Sequence, residues 1–295
     1  LNGNEKMSNG IIKKMIERAR KYFDSGKYLH SLQIYHRIIN EYPGYVDAYS
    51  ELAYVYTKLG KEGYAEKLLR KALQIEPGNE EVLFLLGTNC LRSKKFDEAI
   101  KFLTKLAYLE YPAVHYNLGL AYYYRGDYLE AEDELKKVLS LDPDFPKAVE
   151  SLAEILIKRE SYDEAVDYLK RGIKREPYNH TLYYLLGISF WNLGKLKQAR
   201  EAIETAIDLE PNNGILWQTC GEILLELGEI EKAEKYFNRA ISLDKGLVDS
   251  FINLGLIHLF RGEDEQARKF FDEAIKIDPK ASVKIEEKIK LLRNG

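Results

Sequence analysis

Five histidines, two cysteines and 47 acidic side chains are the groups in this 295-residue chain with the chemistry for catalysis or metal binding. Their spacing does not assemble either. His30, His36, His115, His180 and His258 include no HExxH and no other paired-ligand spacing, so no metal is expected. Cys90 and Cys220 have no second cysteine or histidine at ligand distance in the sequence, and are expected to act as small buried hydrophobes. A glycine-rich phosphate loop and a G-x-S-x-G nucleophile turn are both missing. Acid pairs such as Glu80-Glu81 and Glu286-Glu287 fall at helix starts or solvent faces, where carboxylates oppose the positive helix end. The expectation is therefore a chain that is not an enzyme and needs no cofactor.

Charge and hydropathy exclude two further classes. Lys and Arg number 44 against 47 acidic groups, a net charge of −3. Phosphate contacts dominate nucleic-acid affinity, so this balance argues against a nucleic-acid partner. The charge is uneven: residues 1–79 carry a basic excess and the remainder an acidic one, which would let the N-terminal part attract an acidic segment. No apolar run approaches the roughly 18 residues that cross a bilayer. A cytoplasmic location is the expectation; because the chain begins with Leu1, a processed or anchored form stays open.

The elements that must carry whatever function exists are set by an internal repeat. Leu-Gly-x-x-Tyr-like motifs recur at Leu52-Ala53 with Tyr56, Leu118-Gly119 with Tyr122, Leu186-Gly187 with Phe190, and Leu254-Gly255 with His258. An acidic residue followed by Pro recurs at Glu76-Pro77, Asp142-Pro143, Glu176-Pro177, Glu210-Pro211 and Asp278-Pro279. The registers are 12–45, 46–79, 80–111, 112–145, 146–179, 180–213, 214–247 and 248–281. The eighth residue is small in every unit, from Ala19 to Gly255, and so is the twentieth, from Ser31 to Ala267. Small side chains there let two antiparallel helices approach, and a large apolar twenty-fourth residue, from Tyr35 to Phe271, fills the space beside them. Gly26, Gly60, Gly126, Gly194, Gly228 and Gly262 supply the turn between the helices. The third unit departs from this pattern: Lys94 stands at the turn, the closing Pro is missing, and the unit is shorter.

These registered positions resemble the tetratricopeptide repeat family over residues 12–281, in all eight units. The resemblance implies an all-α fold, a right-handed superhelical solenoid of antiparallel helix pairs, with each pair called A and B. Residues 282–295 are expected to form a capping helix, with Ile285, Ile289 and Leu292 on its apolar stripe, and residues 1–11 a flexible segment.

In that family the A helices line a concave groove that holds a segment of a partner protein. Residues five, nine and twelve of each unit share one face of helix A. On that face the candidate partner-binding residues are Tyr54, Phe84, Tyr116, Leu120, Tyr123, Tyr184, Ile188 and Trp191, with an acidic band at Glu150 and Glu154. Thr57, Thr88, Leu91, Leu225 and Leu256 occupy the same register positions. The Lys/Asn pair of the family's chaperone-tail binders is absent, and of the asparagines at position six only Asn117 and Asn253 are present. The reading is a non-catalytic scaffold or adaptor for a protein or peptide partner. Two alternatives stay open: the recruiting region of a larger enzyme or assembly complex, and a self-associating scaffold that forms a homodimer.

Overall fold

The structure is a computed structural model that describes the backbone of residues 3–145 and 147–294, and side chains over 10–145 and 147–291. Among the described residues the chain is all-helical and has no strand. It falls into two compact units, Leu1–Ala148 and Val149–Gly295.

The first unit contains α1 (Gly3–Asp24), α2 (Tyr28–Glu41), α3 (Val46–Lys58), α4 (Glu62–Ile75), α5 (Glu80–Arg92), α6 (Phe96–Leu103), α7 (Pro112–Arg125) and α8 (Tyr128–Leu141). Each odd-numbered helix packs on the even one that follows it, and α5 also touches α3 and α7. The odd helices are the A helices of the repeat and the even ones the B helices. In the second unit lie α9 (Ala148–Lys158), α10 (Tyr162–Arg175), α11 (His180–Asn192), α12 (Leu196–Leu209), α13 (Gly214–Glu226), α14 (Ile230–Leu243), α15 (Val248–Phe260), α16 (Asp264–Ile277) and α17 (Ala281–Asn294).

The hairpins close where the small residues predict. Ala65, Ala99, Ala131, Ala165, Ala199, Ala233 and Ala267 are all buried, as are Ala19, Ala53 and Ala153. At Gly87 a β-carbon would stand 2.6 Å from Cγ of Leu103, the twenty-fourth residue of the same unit. Glycine is required there because the B-helix side chain occupies the space. Burying each such leucine or phenylalanine contributes about 1.5–3 kcal/mol.

Caps and turns fix the helix ends. Asn79, Asn179 and Asn213 accept from the amides of Val82, Thr181 and Ile215, closing the N-termini of α5, α11 and α13. The turn glycines adopt left-handed φ, and Lys94 and Glu160 adopt it without being glycine, at φ 58° and 60°. A short third unit has a visible cost. Its B helix α6 ends after eight residues, and Thr104–Leu109 continue as a 3-10 helix. Glu110 then turns through φ 52° and Pro112 opens α7.

Helix α1 is assigned from Gly3, so residues 3–11, expected as a flexible segment, continue the first helix. At the other end, Ala281 and Ile285 of α17 are buried against Phe251, Ile252 and Ala274, with Ile289 beside them. The side chain of Leu292 lies outside the described residues.

Candidate functional site

The A-helix face of the first unit carries a cavity of about 340 Å³ among α3, α5 and α7. Its wall includes Tyr54, Thr57 and Lys58 from α3, Thr88, Asn89, Leu91 and Arg92 from α5, and Asn117 from α7. Residues nine and twelve of two successive A helices thus meet around one concavity, as the helical spacing requires. Of the candidate partner-binding residues, Tyr54 lies in that wall; Phe84, Tyr116, Leu120 and Tyr123 lie elsewhere on the same unit.

The remaining aromatics are tied to local partners. The Tyr54 ring packs on Phe23 at 5.3 Å, and Lys58 Nζ sits 5.4 Å from its centroid. Phe84 is half-buried against the core of α3 to α7. Tyr116 packs on Phe145 at 5.0 Å, and Tyr123 on Tyr124 and Tyr128 at 5.2 and 5.8 Å. Tyr124 stacks in turn on Phe96. Leu120 is half-buried. These rings form short chains between neighbouring helices, and part of each ring goes to holding the hairpins together.

In the second unit Tyr184, Ile188 and Trp191 are half-buried on α11. Loss of water raises the Tyr184 hydroxyl above its ordinary range, and a hydrogen bond with Thr219 works against that rise. Glu150 accepts from Asn179 Nδ2 at 2.7 Å, which engages half of the expected acidic band in a structural contact. The exposed Glu154 carboxyl is pushed upward by partial desolvation first and by the Glu150 charge second.

A second cavity, of about 490 Å³, lies among α13, α14, α15 and α17. Leu225 and Leu256, at positions twelve and nine of their units, line it with Ile230, Ile257, Phe260 and Leu291. Its polar edge is Lys288, whose Nζ donates to Asn253 Oδ1 at 2.9 Å. Glu222, on the same helix as Leu225, is pushed up to about 7, chiefly by burial and then by the charge of Asp249.

Sequence reasoning passed over Asn89. It is 2 % exposed, and neither Oδ1 nor Nδ2 has a partner among the described residues. The signal was partial: Val55, Ala121, Ile155, Ile223 and Ile257 hold the same register position and are buried and apolar, while Ser189 there is buried and polar but bonded to the Leu185 carbonyl.

Both cysteines and two of the five histidines sit in structural contacts. Cys90 and Cys220 are buried thiols raised by desolvation to about 11 and about 12, and so stay protonated. His115 is buried and pairs with Glu134 at 2.5 Å. His258 stacks on Phe270 and shares a hydrogen bond with Glu263, a polar contact beside its ring packing. Among the described residues no group of three His, Cys, Asp or Glu side chains is placed to hold a metal ion. No helix there is long and apolar enough to cross a membrane.

Comparison with known proteins agrees with this architecture. Family profiles described as tetratricopeptide repeat match residues 46–79, 63–116, 116–180, 184–248 and 248–281. BBSome complex member BBS4 of Bos taurus is 25% identical over 176 residues, covering 59% of this chain and 34% of that protein. Tetratricopeptide repeat protein 8 of Caenorhabditis elegans is 26% identical over 144 residues, covering 48% and 28%. The chain thus spans about a third of the length of these curated relatives. Among solved structures, MamA from Desulfovibrio magneticus RS-1 superposes with a TM-score of 0.54 at 26% identity, over 57% of this chain and 96% of that one. A tetratricopeptide repeat protein from Parabacteroides merdae shares the fold at TM-score 0.61 and 20% identity, over 83% and 98%.

Proposed function

Because the chain belongs to the tetratricopeptide repeat family, we propose that it is a non-catalytic adaptor whose A-helix faces hold a segment of a partner protein. The observation that carries this reading is the cavity among α3, α5 and α7. Four side chains picked out by register alone, Tyr54, Thr57, Thr88 and Leu91, line it together. A concavity rimmed by an aromatic ring and flanked by half-buried apolar side chains gives large contact area at low entropic cost. The relative named as a BBSome complex member is consistent with a role in assembly, and lends the reading no particular partner.

The test is affinity capture with and without Tyr54→Ala, Tyr116→Ala, Tyr123→Ala and Trp191→Ala in one chain. Loss of capture with the helical circular dichroism signal retained supports the reading. Capture at wild-type strength from that variant would overturn the assignment of these faces.

A second reading, self-association, is favoured by one feature of the other unit. Phe260 and Leu291 beside the larger cavity are 72% and 73% exposed, and burying both on a second copy would be favourable. A mass measurement across a concentration series decides it: a doubling of mass that Phe260→Ser and Leu291→Ser together abolish supports a dimer, and a constant monomer mass rejects it.

A further inference from the structure

The cavity among α3, α5 and α7 has two cations in its wall and no carboxylate. Lys58 and Arg92 are each the thirteenth residue of their unit, so the repeat places them at equivalent points of neighbouring A helices. Among the described residues Lys58 has no carboxylate within the 4.0 Å of an ion pair; its ammonium lies against the Tyr54 ring. Arg92 meets one acceptor among the described residues, Glu62 at 3.5 Å, which leaves most of its guanidinium donors for another acceptor. Thr57 and Thr88 donate their hydroxyl protons to the Ala53 and Leu85 carbonyls, so each presents lone pairs to an incoming N–H. Beneath them Asn89 holds an amide with both a donor and an acceptor unmatched. A polar group in that state opposes folding unless something else compensates.

We propose that this cavity recognises an acidic side chain of an extended partner segment, the carboxylate held between Lys58 and Arg92 and the neighbouring main chain bonded by Thr57, Thr88 and Asn89. The inference rests on the adaptor reading and narrows it to a partner chemistry. Charge complementarity is the ground for the acid: two cations with little intramolecular neutralisation border a concavity whose wall carries no carboxylate. The basic excess of residues 1–79 acts in the same direction at longer range. For Asn89 to reach a ligand its closed-off amide must turn about χ2, which a bound main-chain group would reward with two hydrogen bonds.

Both cations also stand in the last turn of their helices, where they complement the negative helix end. A purely structural role of that kind predicts loss of stability with no effect on ligand binding, and this separates the two explanations.

The experiment is fluorescence anisotropy on the full chain with a labelled octapeptide of alternating Glu and Ala. Twins in which Gln or Lys replaces Glu serve as controls. The acidic peptide is expected to bind, the twins not, and binding should weaken at about 0.5 M salt, where charges are screened within a few ångströms. Lys58→Gln and Arg92→Gln should each weaken it about tenfold, the loss expected for one charge-assisted contact. Asn89→Leu should weaken it severalfold at an unchanged or raised melting temperature. Equal affinity for the acidic and Gln peptides would overturn the proposal, as would charge variants that lower stability while leaving binding untouched. Unaltered binding by Asn89→Leu would remove that residue from the recognition. Should the acidic peptide fail while partner capture still depends on Tyr54, Tyr116, Tyr123 and Trp191, the acidic-segment inference falls alone and the adaptor reading stands.

Discussion

The Phe237 ring lies against Gly221 so closely that a β-carbon there would stand 2.7 Å from Cε1 of the ring. The two are the eighth and twenty-fourth residues of one repeat, and their contact sets how near α13 comes to α14. Gly221→Ala should therefore lower stability by about 1–3 kcal/mol, the usual cost of overpacking a close helix contact. Urea unfolding of the variant checks this. An unchanged midpoint would mean that the ring has room to move aside.

Two turns carry the opposite kind of defect. Lys94 and Glu160 hold left-handed φ where six sister turns have glycine. Lys94→Gly and Glu160→Gly should each raise stability by about 0.5–1 kcal/mol, the relief of strain exceeding the extra freedom glycine gives the unfolded chain. Gly126→Ala, at φ 100°, should do the reverse. Thermal melts of the three variants give the comparison.

Glu222 should make the second unit pH-sensitive. Its folded carboxyl titrates at about 7, above the unfolded value, so the folded state binds the proton more tightly. The penalty for ionising it is small at pH 5, grows as pH rises towards 7, and is fully present above that. Glu222→Gln should accordingly stabilise the protein more at pH 8 than at pH 5. Allowing for residual solvent screening, the difference should be roughly 1–2 kcal/mol. Unfolding midpoints at the two pH values measure it, and equal gains at both would contradict the assignment.

The cap should matter beyond its own length. Ile285 is 6% exposed among Phe251, Ile252 and Ala274, so Ile285→Ala removes packing at the end of a stack whose hairpins depend on their neighbours. A loss of about 2–4 kcal/mol is expected. Hydrogen exchange should show it concentrated in α15, α16 and α17.

What the sequence made legible was whatever recurs. Ala65 and its six equivalents, the turn glycines and the large twenty-fourth residues are each repeated, so register alone identifies the contacts they make. Features confined to one unit were harder to see. Periodicity locates the third B helix but does not reveal that α6 gives way to a 3-10 helix at Thr104, because that follows from fitting a shortened unit onto α7. The His258–Glu263 pair depends on a turn bringing two polar groups together, which Tyr56, Tyr122 and Phe190 at the sister positions do not foretell. On the candidate face, helical spacing found Tyr54, Thr57, Thr88 and Leu91. It passed over Lys58, Asn89 and Arg92, which adjoin those positions and supply the charge and unmatched polarity of the cavity.

Site-specific photocrosslinking tests the A-helix face as a protein-binding surface most directly. A benzophenone side chain replaces Tyr54 or Tyr123 on A helices α3 and α7, and separately the exposed Tyr64 or Leu129 on B helices α4 and α8. Adaptor function through the A face predicts one discrete partner adduct from Tyr54 and Tyr123 positions and none from Tyr64 and Leu129. The same adduct from the B-helix positions, with none from the A-helix positions, would contradict it.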